Sequence, residues 1–183
     1  VDPAYVPPSR PTVRLNEVLA KNLATLMNGT ATPDLIEIYN HGMVSVDLSG
    51  MGLTDTPTNH FKFTFPSNTV LAAGSYLVLY ADNNVGGAFL HTGFSLKQEG
   101  DDLSLFDKTA AGGALLDSVS FGVQLADSSI GRGGDGVWTL CRPTFGTANF
   151  VQACGAARTL RINEWLADAQ FAADNDFLEL YNP

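Results

Sequence analysis

The sequence predicts an all-β sandwich of about eight or nine short strands. Three observations carry this. Apolar residues recur with period two, or in short runs, along most of the chain. Turn signals built from Gly, Pro, Asn and Asp interrupt those runs about every ten residues. And the chain repeats itself: Val13-Arg14-Leu15-Asn16-Glu17-Val18-Leu19-Ala20 returns as Leu160-Arg161-Ile162-Asn163-Glu164-Trp165-Leu166-Ala167, and Asp34-Leu35-Ile36-Glu37-Ile38-Tyr39-Asn40 returns as Asp176-Phe177-Leu178-Glu179-Leu180-Tyr181-Asn182. A repeat marks a folding unit. The organisation expected is a proline-rich leader over 1–11, a sandwich over 12–157, and the first two strands of a second copy over 158–183.

The leader holds Pro3, Pro7, Pro8 and Pro11, too many for a helix. Val13 to Ala20 reads as a strand, and the spacing of Val18, Leu19, Leu23 and Leu26 allows a short helical turn within Val18–Met27. Leu35 to Tyr39 is a strand that ends at the turn Asn40-His41-Gly42. Val44 to Leu48 alternates and stops at Ser49-Gly50. Phe61-Lys62-Phe63-Thr64-Phe65 puts three aromatics on one face and is closed by Pro66. Tyr76 to Tyr80 is apolar on both faces, which predicts a central strand. Leu103 to Phe106 is followed by a Gly112-Gly113 turn, then Leu115 to Phe121. Val137 to Leu140 is the last strand before Pro143. Each such strand has one inward face, and two sheets must cover one another to bury them.

Composition narrows the function classes. Hydrophobic content of 45% excludes disorder, and no apolar run approaches the ~18 residues that span a bilayer as a helix. A net charge of −9, with ten scattered Lys and Arg, opposes binding to nucleic acid or anionic membranes. No signal peptide precedes Val1, so the chain is expected to be an excised or processed piece of a larger protein. Few Lys beside many Gly, Thr, Ser and Asn suggests a secreted or surface protein. Cys141 and Cys154 lack the spacing of a zinc site and form a candidate disulfide, whose loop of ~14 residues would contribute about 3 kcal/mol. The alternative is two unpaired thiols.

Together the motifs resemble the bacterial branch of the lamin tail domain family. They are Leu15-Asn16-Glu17-Val18-Leu19-Ala20, Ile36-Glu37-Ile38-Tyr39-Asn40, Val46-Asp47-Leu48-Ser49-Gly50-Met51-Gly52-Leu53-Thr54-Asp55, Leu71-Ala72-Ala73-Gly74-Ser75-Tyr76-Leu77, Leu90-His91-Thr92-Gly93-Phe94, Asp117-Ser118-Val119-Ser120-Phe121, Ser129-Ile130-Gly131-Arg132 and Pro143-Thr144-Phe145-Gly146-Thr147-Ala148-Asn149. Met51 stands where a tryptophan is common in these bacterial domains. The resemblance implies an immunoglobulin-like sandwich that serves as a binding or adaptor module, without catalysis.

Several patterns invite chemistry. Gly131-Arg132-Gly133-Gly134-Asp135-Gly136 spells a dinucleotide fingerprint, but a strand follows where a helix is required, so it reads as a glycine-rich hairpin with Arg132 bonded to carbonyls or a carboxylate. Glu17 and Glu37 recur as Glu164 and Glu179. Paired carboxylates can do acid–base work, but a repeat also copies structural residues, and partners such as Arg14 or backbone amides are expected. His41, His60 and His91 stand without metal-ligand spacing. The loops Asp82-Asn83-Asn84 and Asp174-Asn175-Asp176 make Asp82, Asp174 and Asp176 weak calcium candidates. Glu99-Gly100-Asp101-Asp102 is a third acidic loop. Turn chemistry is the simpler reading of all three. Asn28-Gly29-Thr30 is a sequon by string and a turn by composition.

The expectation is therefore a non-catalytic interaction, adhesion or anchoring module of a larger secreted or cell-surface bacterial protein, without a cofactor. Its partner would be a protein or cell-surface polymer, and strand exchange or edge pairing would engage residues 160–183. The alternative is a carbohydrate-binding or nucleic-acid adaptor module attached to a secreted hydrolase, with the Phe61, Phe63, Phe65 stripe stacking on sugars.

Overall fold

Short apolar runs broken by glycine and asparagine close their backbone hydrogen bonds with neighbours in space rather than along the chain. The computed structural model describes residues 10–84, 90–153, 157–167 and 176–182. It divides into two units, Val1–Gln152 and Ala153–Pro183. The first holds β1 (Val13–Leu19), β2 (Asp34–Asn40), β3 (Val46–Asp47), β4 (Gly52–Thr54), β5 (Phe63–Thr64), β6 (Val70–Leu71), β7 (Tyr76–Ala81), β8 (Asp101–Phe106), β9 (Leu115–Phe121), β10 (Ser129–Arg132), β11 (Trp138–Arg142) and β12 (Phe150–Val151). Eight of these are three residues or longer. The second holds β13 (Arg161–Leu166) and β14 (Phe177–Tyr181), an antiparallel pair.

In the first unit a six-stranded sheet, order β12-β11-β10-β1-β2-β7, faces a four-stranded sheet, order β5-β4-β8-β9, with a small β3–β6 pair beside them. Leu15, Val18, Ile36, Ile38 and Leu79 from the first sheet meet Leu53, Leu103, Leu105 and Val119 from the second in one core. A fully buried Leu or Ile is worth roughly 1.5–3 kcal/mol over an exposed one, so this set fixes which face turns inward. Met51 occupies the core with 1% exposure. This is an all-β, immunoglobulin-like sandwich, as the sequence predicts.

One irregularity organises the first sheet. The pairing of β1 with β2 shifts between Leu15 and Glu17, leaving Asn16 as an extra residue, a β-bulge. On its other side β1 pairs with β10 only at Glu17 and Val18. Beyond the bulge the outward backbone of Leu15 would lack partners. Asp117 of β9 accepts its N–H at 2.9 Å, and Arg132 Nε donates to its carbonyl at 2.9 Å. Arg132 forks onto the Asp117 carboxylate at 2.7 and 2.8 Å, gives a third bond to the Gly136 carbonyl, and lies 4.8 Å from the Trp138 ring centroid. Two side chains thus stand in for a missing strand and tie the two sheets together. The string around Arg132 is a β10–β11 hairpin, as its context requires.

Four local expectations are corrected. Tyr76–Tyr80 is not central: β7 lies at the edge of its sheet. Leu77 and Leu79 face the core, while Val78 and Tyr80 lie under a second apolar cluster with Leu19, Leu35 and Phe145. Cover from a loop, not a flanking strand, explains the two apolar faces. At Tyr80 the free edge is closed by Leu90 and Thr92, which exchange backbone bonds with it at 3.0 and 2.9 Å. Val18–Met27 forms no helix: β1 runs to Leu19 and bends follow. The alternating run Val44–Leu48 pairs only at Val46–Asp47, leaving Val44 exposed. Phe61–Phe65 forms a regular ladder only at Phe63–Thr64, and Phe65 exchanges backbone bonds with Gly50 and Met51, outside β4.

Removing the Asp117 carboxylate takes from Arg132 its counter-charge and both Nη2 bonds, and from the Leu15 N–H its acceptor, in a setting where the Arg132 and Asp117 side chains are each 16% exposed. Asp117→Ala is expected to cost about 3 kcal/mol of unfolding free energy, lowering Tm by roughly 6–12 °C. Urea and thermal melts of the full chain check this, and a loss below about 0.5 kcal/mol would contradict the bridging role.

Candidate functional site

The outer face of β1 and β2 carries the most polar buried cluster. Glu17 and Glu37 lie directly opposite one another, and both are fully buried. Like charges so placed repel. Each carboxylate is held by hydrogen-bond donors from the segment after β11, which crosses over this face. Thr144 N–H donates to Glu17 at 3.1 Å, and Ser129 Oγ donates to the same oxygen at 2.5 Å. Gly146 N–H and Asn16 Nδ2 donate to the two oxygens of Glu37, at 2.5 and 2.7 Å. Asn16 and Asn149 close the cluster: Asn16 Nδ2 donates to Asn149 Oδ1 at 3.0 Å, and Asn149 Nδ2 to the Asn16 and Arg132 carbonyls. Phe145 packs on Leu19, Leu35 and Tyr80 between the two anchored amides. A Cβ on Gly131 would lie 2.6 Å from Asn149 Nδ2, so glycine is required beneath the cluster.

Burial pushes the Glu37 carboxyl from 4.5 up to about 7 against its donors, with Glu17 adding to the rise. Burial also raises Glu17. These carboxylates are enclosed and committed to backbone amides, so the pair fastens a loop and does not present itself to a substrate. The expectation of amide partners holds. Arg14 is not a partner: its guanidinium lies 5.6 Å from the Tyr39 ring centroid.

The second feature is the loop cluster at one end of the sandwich. Asp127, with φ of 51°, accepts the N–H groups of Leu23, Ala24 and Thr25 at 2.9, 2.9 and 3.1 Å and the Thr25 hydroxyl at 2.9 Å. It stitches the loop after β9 to the loop after β1. Asn22, buried, donates to the Leu26 and Pro33 carbonyls and accepts the Thr25 N–H. The two loops carry exposed Leu23, Met27, Val123 and Leu125. Beside them a groove of about 450 Å³ is lined by Lys21, Leu23, Asp34, Lys97 and Glu99 among others. Asp34 also borders a neighbouring groove of about 250 Å³. Burial lifts its carboxyl from 3.8 to about 6, against the hydrogen bond from Leu96 N–H, and nearby Asp82 adds to the rise.

Among the weak calcium candidates, Asp82 has both oxygens engaged, by His91 Nδ1 at 2.6 Å and by Asn84. Asp176 lies just before β14, and Asp174 falls outside the described residues. Among the described residues no three His, Cys, Asp or Glu are grouped to hold a metal ion. Cys141 is buried in β11, and burial raises its thiol; Cys154 falls outside the described residues, and with it the candidate disulfide. His60 stacks on Phe106 at 4.0 Å. Asn28-Gly29-Thr30 is a tight turn closed by reciprocal Asn28 and Ala31 backbone bonds. Phe65 is buried, and Phe63 meets it edge-on at 5.0 Å, so the aromatic stripe is largely core.

Sequence reasoning missed Asn16, Asn149, Asn22 and Asp127 as anchors. Asn16 had a signal, its return as Asn163. Asp127 had none, because its partners lie about a hundred residues away in the chain.

The raised carboxyls set the pH dependence. A carboxyl whose folded pKa exceeds its unfolded value costs nothing below the unfolded pKa, where both states are protonated. It then subtracts stability as pH rises to the folded pKa. Glu37, Glu17 and Asp34 therefore reduce stability as pH rises, Glu37 between about pH 4.5 and 7 and Asp34 between about pH 4 and 6, with the effect of the partly exposed Asp34 reduced by solvent screening. Asp127, held low by the Ala24 and Leu23 amides, acts oppositely, losing its contribution as pH falls below about 4. Urea titrations are expected to place maximal stability near pH 4–5. Glu37→Gln should flatten the fall above pH 5 while costing about 1–3 kcal/mol at pH 5, since its NH2 must face a donor. Stability that climbs steadily to pH 8 would contradict the assignment.

The family model described as the lamin tail domain matches residues 7–122, which span β1 to β9 and the whole four-stranded sheet. A search of curated proteins finds no match. The domain is an immunoglobulin-like, generally non-enzymatic type commonly used as an interaction module. With the match covering well over half of the sequence, and with the sandwich described above, the chain belongs to the lamin tail domain family.

Proposed function

We propose that the first unit is a non-catalytic interaction or anchoring module of a larger secreted or cell-surface bacterial protein. It would bind a protein or surface polymer through the loop cluster at the end of the sandwich. The observation that carries this reading is the exposed apolar group Leu23, Val123 and Leu125, held on two loops that Asp127 fastens together. Isolated exposed leucines are ordinary; a set fixed in place beside a groove suits a docking surface. The enclosure of Glu17 and Glu37 removes the best candidate for acid–base chemistry. The burial of Phe65 weakens a sugar-stacking platform, and the net charge of −9 works against a polyanionic partner.

The test incubates the full chain with insoluble bacterial cell-wall preparations and with polysaccharide, ester and phosphodiester substrates. Retention without turnover is expected. Leu23→Glu combined with Leu125→Glu should weaken retention about tenfold or more at unchanged Tm. Turnover that disappears in Glu37→Gln would overturn the reading, as would retention indifferent to the loop substitutions.

A further inference from the structure

In the first unit, where the β1–β10 ladder ends, the edge of β1 borders a groove of about 390 Å³. Three of the chain's ten Lys and Arg line it, Arg10, Arg14 and Arg132, together with His41 and one carboxylate, Asp117. In a chain of net charge −9 this is a local excess of positive charge. Asp117 is committed, because Arg132 forks onto it. Among the described residues no carboxylate pairs with the other two guanidiniums. Arg10 gives a bond to the Leu115 carbonyl, a neutral acceptor. Arg14 Nε is buried without any hydrogen-bond partner. The Arg14 guanidinium lies 5.6 Å from the Tyr39 ring centroid, and Tyr39 in turn stacks on Tyr76 at 4.6 Å. This aromatic brace orients the fork in advance, so less side-chain freedom is lost when an anion meets it.

We infer that this groove is a binding site for an organic carboxylate, received by Arg14 with Arg10 and His41 beside it. A planar guanidinium with unpaired N–H groups matches a carboxylate edge to edge. His41 is exposed, its backbone N–H is given to the Thr12 carbonyl, and its ring supplies a further N–H in either tautomer. The rest of the wall includes Pro11, Val13 and Leu116, which suit an aliphatic stem. Thr12, the one hydroxyl among the described lining residues, already donates to Asn40 Oδ1 at 2.9 Å, so a hydroxyl-rich sugar finds few partners. The net charge of −9 works against a polyanion and leaves a single carboxylate as the fitting group. An acidic side chain on a polypeptide and a small free acid both carry that group. The inference goes beyond the loop-end reading and does not depend on it.

The test titrates the isotopically labelled full chain with sodium butyrate, N-acetyl-glutamate N-methylamide, sodium glucuronate and inorganic phosphate, following backbone amide shifts. Saturable shifts centred on Val13, Arg14, His41 and Leu116 are expected with the first two. Tighter binding of the blocked glutamate assigns the carboxylate to a polypeptide, and tighter binding of butyrate assigns it to a free acid. Arg14→Gln should weaken both about tenfold, the loss of one charge-assisted pair. Arg14→Lys keeps the charge without the fork and should recover only part of the affinity. Unchanged amide shifts of Ile36 and Leu79 confirm that either variant keeps its sheet. Arg142→Gln, which removes an exposed arginine outside the groove, should leave the titration as it is. Leu23→Glu with Leu125→Glu should also leave it unchanged, so the two readings fail separately. Shifts that rise without saturating, equal or tighter binding of phosphate or glucuronate, full affinity in Arg14→Gln, or an equal loss in Arg142→Gln would each overturn the inference.

Discussion

The sandwich depends on one extra residue in its first strand. The bulge at Asn16 breaks the β1–β2 register so that Leu15 and Val18 both face the core while Glu17 and Glu37 come opposite one another on the outer face. It also ends the β1–β10 ladder at Glu17. Everything that closes the unit then fills what the bulge leaves open. Asp117 and Arg132 satisfy the Leu15 backbone, Asn149 satisfies the Asn16 carbonyl, and the Thr144 and Gly146 amides meet the two carboxylates. A bulge without these partners would leave buried backbone groups unpaired, at about 1–3 kcal/mol each.

The buried glutamates are a compromise between two opposing terms. Donors favour the ionised form, and burial opposes it more strongly at Glu37, which is why its carboxyl is pushed up to about 7. Replacing a well-packed buried ionic group by apolar residues is often neutral or stabilising, so stability alone does not explain the pair. The pair returns as Glu164 and Glu179, in the same register and with the same asparagine contact.

Much of the fold was legible because it is written locally. Alternation and turn residues gave the positions of β1, β2, β7, β8 and β9 to within a residue or two, and the recurrence of Glu17 and Glu37 flagged the buried pair. The failures share a cause. Tyr76–Tyr80 is apolar on both faces because Phe145, far along the chain, helps cover one of them; no local pattern distinguishes that from burial between strands. The Phe61–Phe65 alternation is strand-like, but its ladder with β4 covers Phe63–Thr64 alone. Asp127 works on backbone amides at Leu23 to Thr25, and a side chain that bonds backbone leaves no complementary residue type to find.

The surface proposed for docking is the loop cluster fastened by Asp127, and the sandwich beneath it is closed by the loop that the buried polar cluster holds. The most direct measurement is native-state hydrogen exchange at Thr144 and Gly146. Gly146 lies in a solvent-exposed stretch, so an unheld loop would exchange its amide rapidly. The carboxylate anchors predict that both amides exchange only through large-scale opening, with protection comparable to the amides of β1 and β2. Exchange at the rate of a free loop would show that Glu17 and Glu37 do not hold it, and the central claim would fail.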